Sequence, residues 1–490
     1  MHFIRGSHIF FILCLSWIAT ASQNARFSRA DSPHNNNLKD VPVRVTVGLQ
    51  QSKNTITDHF IGHSLGWSLN LLPHVSSKKL QNLARALTPM WVRWGDPGVT
   101  YIVGGTHPSG PGHQWHDMTG EQWATYNNFF RTVGWDLIFI LSDETIRHTD
   151  GSWNPDNARQ LLQYSADKNI TIAGFELGNE YNLYKGHFHT MVTPQQLSKD
   201  VNTLRNMLSE FPKYYSSFIM GPDIAGIDPI YFKGFLAAGA HNTVRAASFH
   251  QYYIGAGTRS LSNFTNIHTM DGAAWMVGQA LVQTRSVDLL LPVWLSETGS
   301  ATNGGVQGMT DRFVSGFLWL DKLGVCARQG IETVIRHVFF SPHEYYGILD
   351  KDLNPNPDFW LTVLYKRIVR GAVFNAGGRQ DVRVYAACAN TDNFKAGSLA
   401  VYMLNPNNYP VTFDLHQFTH QPRFRYTLTA GDKDGLVSRY IALNGVKLQL
   451  VNDNLPPLKP ESAPRGVVTV PAYSYTFLVF PEAEVSICLH

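Results

Sequence analysis

The sequence predicts an α/β protein, a (β/α)8 TIM barrel followed by a C-terminal all-β sandwich domain. Three observations carry this. Between residues 55 and 374, short runs rich in β-branched and aromatic residues alternate with longer stretches of helical periodicity. There are eight runs and eight stretches, the count of a closed barrel. From residue 375 to 490 the helical pattern stops, and short β-like runs separated by Gly, Pro, Asn and Asp take over. A doubly wound open sheet is the competing arrangement, but no glycine fingerprint for a dinucleotide follows the first strand.

The expected barrel strands are Ile61–Trp67, Met90–Gly95, Asp136–Ser142, Ile170–Leu177, Phe218–Pro222, Ala246–Tyr252, Pro292–Ser296 and Thr333–Phe340. The helices between and after them are Ser76–Leu87, Gly120–Val133, Pro155–Lys168, Thr193–Phe211, Ile230–Ala238, Ala273–Arg285, Thr310–Leu323 and Trp360–Val369. Asn154, Thr193 and Thr310 are the expected N-caps, with Pro155 and Pro194 in the first turns, where a missing N–H costs nothing. The sandwich is expected from Val382–Ala389, Ser398–Leu404, Val411–Leu415, Phe424–Thr429, Tyr440–Leu443, Lys447–Val451 and Tyr473–Phe480. Val43–Leu49, in the N-terminal segment 22–54, alternates like a strand and suits the same sheet.

Composition narrows the function. A chain of 490 residues, 44% hydrophobic and only 16% charged, is neither disordered nor a nucleic-acid coat, and a net charge of +3 demands no polyanion as partner. Residues 1–21 read as a signal peptide: Arg5, the apolar run Ile9–Ala19, then Ala19-Thr20-Ala21. The run is short for an uncleaved membrane anchor, so a secreted or lysosomal, monomeric protein without an integral membrane segment is expected. Cys14 leaves with the signal. Of the three remaining cysteines, Cys388 and Cys488 both fall in strand-like sequence in the last quarter and are the expected disulfide, whereas Cys326 follows a helical run and suits a buried thiol. Asn169-Ile170-Thr171 and Asn263-Phe264-Thr265 are glycosylation sequons. No ligand cluster of metal spacing stands out, and neither a metal nor another cofactor is expected.

Chemistry on a barrel belongs at the C-terminal ends of its strands. The fourth ends Phe175-Glu176-Leu177-Gly178-Asn179-Glu180-Tyr181 and the seventh Val293-Trp294-Leu295-Ser296-Glu297-Thr298-Gly299. Either glutamate alone reads as a salt-bridged structural residue. Together, on opposite strands, they match the two carboxyl groups that glycoside hydrolysis needs across the scissile bond. The other polar and aromatic strand ends, Arg93-Trp94-Gly95, Asp223, His250-Gln251-Tyr252-Tyr253, and Arg336-His337 with Tyr345-Tyr346, suit a sugar with C–H faces and hydroxyls.

Glu176-Leu177-Gly178-Asn179-Glu180, Gly221-Pro222-Asp223, His250-Gln251-Tyr252-Tyr253, Trp294-Leu295-Ser296-Glu297-Thr298 and Phe317-Leu318-Trp319-Leu320-Asp321-Lys322-Leu323-Gly324 resemble the heparanase group of glycoside hydrolase family 79. That group includes the endo-β-glucuronidase hyaluronidases of leeches, and the resemblance runs from about residue 60 to the C-terminus. It implies a retaining endo-β-glucuronidase acting on a glycosaminoglycan or proteoglycan, with Glu180 as general acid/base and Glu297 as nucleophile. It also implies that Asn179 binds the sugar 2-hydroxyl, that His250 and Tyr252 support the nucleophile, and that Gly304 and Tyr346 bind substrate. The family's disulfide falls on Cys388 and Cys488. The sequence departs from the family at Gly95-Asp96-Pro97, where a Gly-Gly-Thr turn is usual. It runs from Val103 to Trp123 without the family's long excised linker and flanking basic segments, and no aromatic residue stands between Thr298 and Gly305. Heparan sulfate and hyaluronan therefore both remain open as substrate. An exo-acting β-glucuronidase and a non-catalytic glycan-binding relative are the alternatives.

Overall fold

The computed structural model describes residues 41–66, 69–95, 101–102, 118–143, 146–187, 191–255 and 259–489. The expected signal peptide, most of the segment 22–54, Trp67, Asp96-Pro97 and 103–117 lie outside the described residues. Eight parallel strands close into a barrel: β1 (Ile61–Gly66), β2 (Met90–Gly95), β3 (Trp135–Leu141), β4 (Gly174–Leu177), β5 (Phe218–Ala225), β6 (Ala246–Ile254), β7 (Val293–Ala301) and β8 (Thr333–Arg336). Each pairs with its neighbour in sequence, and β8 returns to β1.

The main helices are α1 (Lys78–Arg85), α2 (Gly120–Val133), α3 (Asp156–Asp167), α4 (Pro194–Ser209), α5 (Pro229–Ala237), α6 (Ile267–Arg285), α7 (Ser315–Gln329) and α8 (Pro357–Ile368). Their ends follow from side-chain chemistry. Thr193 caps α4 by accepting from the Gln196 N–H, with Pro194 in the first turn. At α3 the cap position is Pro155 itself, and Asn154 accepts the Asp156 N–H at 2.9 Å. Thr310 is not a cap: its hydroxyl accepts from the Val306 N–H and donates to the Tyr345 carbonyl, so α7 starts later, at Ser315.

Strand periodicity sorts the barrel interior into two layers. Ile138, Met220, Ala246, Trp294 and Ile335, with Trp91 and Phe218, pack into an apolar plug separate from the main core. The Trp91, Phe218 and Trp294 rings meet at centroid distances of 5.4 to 5.8 Å. Two residues further along β2 and β7 the inward positions turn polar, at Arg93 and Ser296.

The remaining strands are β9 (Val369–Ala376), β10 (Arg383–Ala389), β11 (Leu399–Asn405), β12 (Val411–Asp414), β13 (Arg423–Ala430), β14 (Ile441–Leu443), β15 (Val446–Lys447), β16 (Glu461–Ala463), β17 (Val468–Val470) and β18 (Ser474–Phe480). They make a ten-stranded sheet and a three-stranded one, with Val43–Arg44 beside β12 and Val47–Gly48 beside β9. A second apolar cluster, including Val43, Phe374, Val401, Phe413, Val470 and Phe480, draws on both sheets. β9 crosses the break expected at 374/375: Val369 leaves the helix directly into an antiparallel strand that also pairs with Asn54–Ile56. The strand expected over Lys447–Val451 stops at Lys447, and Val451 makes an isolated turn bridge with Asn454.

Cys388 on β10 is bridged to Cys488 and Cys326 is a buried free thiol, both as expected. The bridge spans 100 residues of sequence. Cys388→Ser with Cys488→Ser should therefore lower unfolding free energy by about 2–5 kcal/mol, read by urea denaturation under oxidising conditions.

Candidate active site

Arg93 sits at the centre of the polar layer. It lies two residues beyond Trp91 on β2, on the same inward face. Its Nε donates to Glu176 Oε1 and Oε2 at 2.8 and 2.9 Å, its Nη1 to Glu297 Oε2 at 2.8 Å and its Nη2 to Asn179 Oδ1 at 2.7 Å. One buried guanidinium thus joins β2, β4 and β7. Both oxygens of Glu176 are taken up in this pair, so Glu176 is the structural glutamate of the β4 end. Burial pushes its carboxyl up to about 8, against the pull of Arg93.

Beyond Glu176 the chain turns sharply. Gly178 has φ +70°, and a Cβ there would stand 2.3 Å from the Tyr181 hydroxyl oxygen, so only glycine fits. Glu180 is itself left-handed at φ 55°, ψ 49°, and its N–H donates to the Asp223 carbonyl on β5 at 2.8 Å. This turn delivers the Glu180 carboxylate, which is partly exposed, onto His250 of β6, with Oε1 2.8 Å from Nδ1.

The resemblance implies that His250 supports the nucleophile; it pairs in register with Glu297 and its charge helps hold that carboxyl down, while its hydrogen bond goes to Glu180. Burial would lower its pKa, but Glu297, Asp223 and Glu180 outweigh burial and hold it at about 10. It is an imidazolium at neutral pH. Its Nε2 lies 3.5 Å from Asp223 Oδ1, an ion-pair contact outside hydrogen-bond geometry.

Across the barrel, β7 carries one extra residue. Leu295 pairs with Phe249 and Glu297 with His250, so Ser296 is bulged. Its hydroxyl donates to Asp223 Oδ1. Glu297 then receives the Tyr252 hydroxyl on Oε1 at 2.8 Å and Arg93 on Oε2, with His337 Nδ1 at 3.8 Å. Burial opposes ionisation, but His337, His250, Arg93 and the Tyr252 hydrogen bond hold the Glu297 carboxyl well below the usual carboxylate range. Burial and the Glu297 charge keep the Tyr252 phenol protonated, so that it donates to Glu297.

An oxygen of Glu180, a nitrogen of His250 and an oxygen of Glu297 all lie within 4.8 Å of one another. A protonated imidazole has no lone pair for a metal, and Arg93 already neutralises Glu297. Within the trio an ionised carboxylate faces a second carboxyl group across a short gap.

On the rim, Tyr346 donates its hydroxyl to Glu344 Oε1 at 3.3 Å, and its ring meets His337 edge-on at 4.8 Å. His337 Nδ1 in turn lies 2.7 Å from Ser64 Oγ. Gly304 reaches this rim through its backbone, its carbonyl accepting the Tyr345 N–H at 2.7 Å. Arg93, Asp223 and His337 figured in the sequence only as polar strand ends, and Glu344 not at all. The one available signal was Arg93, a lone charge inside the apolar run Met90–Gly95. Asn169 is exposed at the end of the turn after α3 and Asn263 lies in the short helix Leu261–Phe264, both outside this site.

Residues 112–324 match the model of the glycosyl hydrolase family 79 N-terminal domain. Mouse heparanase is 33% identical over 378 residues, covering 74% of this chain and 69% of its own length. A hyaluronoglucuronidase of Hirudo nipponia is 32% identical, covering 69% and 70%. Human inactive heparanase-2 is 31% identical, covering 76% and 66%. The fold is shared with a 4-O-α-L-rhamnosyl-β-D-glucuronidase from Fusarium oxysporum, at a TM-score of 0.67 and 18% identity over 90% of this chain and 100% of that one.

Two measurements probe the site without a substrate. Arg93→Met strands two carboxylates and should cost about 3–5 kcal/mol in denaturant unfolding, as for other broken buried pairs. His250 binds its proton more tightly folded than unfolded. Its contribution to stability should therefore be full below about pH 6.5, where an unfolded imidazole titrates, and disappear as pH rises through about 10; the difference between wild-type and His250→Gln denaturation midpoints across that range reads it.

Proposed function

Because this chain belongs to glycosyl hydrolase family 79, we propose that it is a retaining endo-β-glucuronidase that hydrolyses glucuronate-containing glycosaminoglycan chains. The observation that carries the reading is the gap of no more than 4.8 Å between oxygens of Glu180 and Glu297. Retaining glycosidases hold their carboxyl groups about 5–5.5 Å apart, while inverting ones need roughly 6.5–9.5 Å to admit a water.

In this mechanism Glu297 attacks the anomeric carbon. It is ionised, held in place by Arg93 and Tyr252, and ready without prior proton transfer. Glu180 protonates the leaving oxygen, and the aglycone departs as an alcohol. The glycosyl ester on Glu297 is then cleaved by a water that gives its proton to Glu180, which restores both groups. His250, charged and bonded to Glu180, orients that carboxyl group through both steps. Asn179 has its carbonyl oxygen committed to Arg93, which leaves its amide N–H groups to donate to a sugar 2-hydroxyl. The carboxylates around the anomeric position oppose the positive charge of an oxocarbenium-like transition state with fixed negative charge.

Hyaluronan is the favoured substrate over heparan sulfate. The net charge is only +3, the basic segments flanking the family's linker are missing, and the central cations Arg93 and His250 are already paired. The protein is expected to act outside the cell or in lysosomes as a monomer, glycosylated at Asn169 and Asn263. Similarity to an inactive heparanase-2 favours a second reading, a glycan-binding protein without catalysis. Against it stand Glu180 and Glu297 in facing positions.

Incubation with hyaluronan, heparan sulfate and chondroitin, with chain length and the new reducing-end sugar followed, tests the proposal. Rapid shortening with glucuronate at the new end is expected; no cleavage of any polymer would overturn it. Glu180→Gln and Glu297→Gln should each lower kcat by at least about a thousandfold, and near-normal activity in either would refute the assigned roles.

A further inference from the structure

Lys322 is a buried lysine on α7 with no carboxylate at ion-pair distance among the described residues. Asp321 beside it is committed to Arg383 and to the Tyr385 and Tyr253 hydroxyls, and Asp358 to Arg336. An unpaired ammonium in such a place is costly unless every N–H finds an acceptor. Lys322 Nζ donates to the Gln251 carbonyl at 3.1 Å, to the Gly299 carbonyl at 3.2 Å and to Thr298 Oγ1, with the Tyr253 ring centroid 4.2 Å away. Thr298 Oγ1 passes its own hydrogen to the same Gln251 carbonyl.

The identity of these acceptors is the point. Gln251 stands between His250 and Tyr252, and Thr298 and Gly299 directly follow Glu297. The register of β7 is broken here on both sides, at Ser296 against β6 and between Leu295 and Thr298 against β8. A bulge aims a side chain but weakens the ladder around it. We infer that Lys322 is a positioning residue for the glycosidase: it fastens β6 to β7 just beyond the bulge and so holds Glu297, Tyr252 and His250 in register without touching substrate. Burial pushes the ammonium down to about 7, and the three acceptors and the aromatic face are the groups that receive it there.

The inference rests on the glycosidase reading only for its kinetic arm. Lys322→Met keeps the length of the stem and removes all three donors. Measured on a glycoside that the wild type hydrolyses, kcat should fall at least about tenfold with KM within twofold, and Lys322→Arg, which restores charge and donors, should recover part of the loss. Thr298→Val, nearly isosteric, should lower kcat in the same sense and add little to Lys322→Met in the double variant; it decides the question if Lys322→Met does not fold. The substrate-free arm is the His250 titration followed by 15N NMR, expected to move down by a unit or more when the clamp is cut. Folded variants with wild-type kcat and an unmoved His250 titration overturn the inference. If the wild type cleaves no glycoside, the proposed function fails, and the titration still decides the role of Lys322.

Discussion

The site depends on one buried guanidinium. Arg93 touches Glu176, Asn179 and Glu297, and through them fixes the ends of β4 and β7 relative to β2. Opposing walls of a barrel share no ladder hydrogen bonds, so a direct polar tie across the lumen, above the apolar plug, sets their separation at the strand ends. The plug of Trp91, Phe218 and Trp294 beneath it makes the tie strong. It excludes water from one side of the ion pairs, which raises both the attraction and the penalty for leaving any member unpaired.

The same cation explains how glutamates on neighbouring turns come to differ. Glu176 is enclosed and immobilised, and both its oxygens accept from Arg93 and keep it in place. Glu297 shares Arg93 with it and gains Tyr252, so it stays ionised though buried. Glu180 has no hydrogen bond to the guanidinium; its partner is the imidazolium of His250. A fixed anion on one wall and a carboxyl group bonded to an imidazolium on the other follow from which residues the cation reaches.

All eight barrel strands were legible because a parallel sheet covered on both faces needs near-continuous apolar runs. Their ends were harder to read. Ile170 and Ile172 are buried and β-branched, yet β4 begins only at Gly174, since burial and ladder pairing are separate properties. Val338–Phe340 are likewise buried beyond the end of β8. In the site, Glu180 and Glu297 could be found from strand ordinal and residue type. The partner of His250 could not. It is set by a left-handed glutamate and a one-residue bulge at Ser296, and neither leaves a mark in local propensity. The contacts of Arg93 likewise join residues 83 to 204 positions apart, beyond any local pattern.

The sheet order has a consequence for biosynthesis. β18 lies between β11 and β13, in the interior of the ten-stranded sheet, although it is the latest of those strands to be translated. Until Ser474–Phe480 emerge, β11 and β13 each present an open edge, and Val43–Arg44 waits for β12. The barrel can assemble on the ribosome from consecutive βα units, whereas the sandwich closes only once Ser474–Phe480 has emerged. During that interval its unpaired strand edges are the part of the nascent chain most in need of a chaperone.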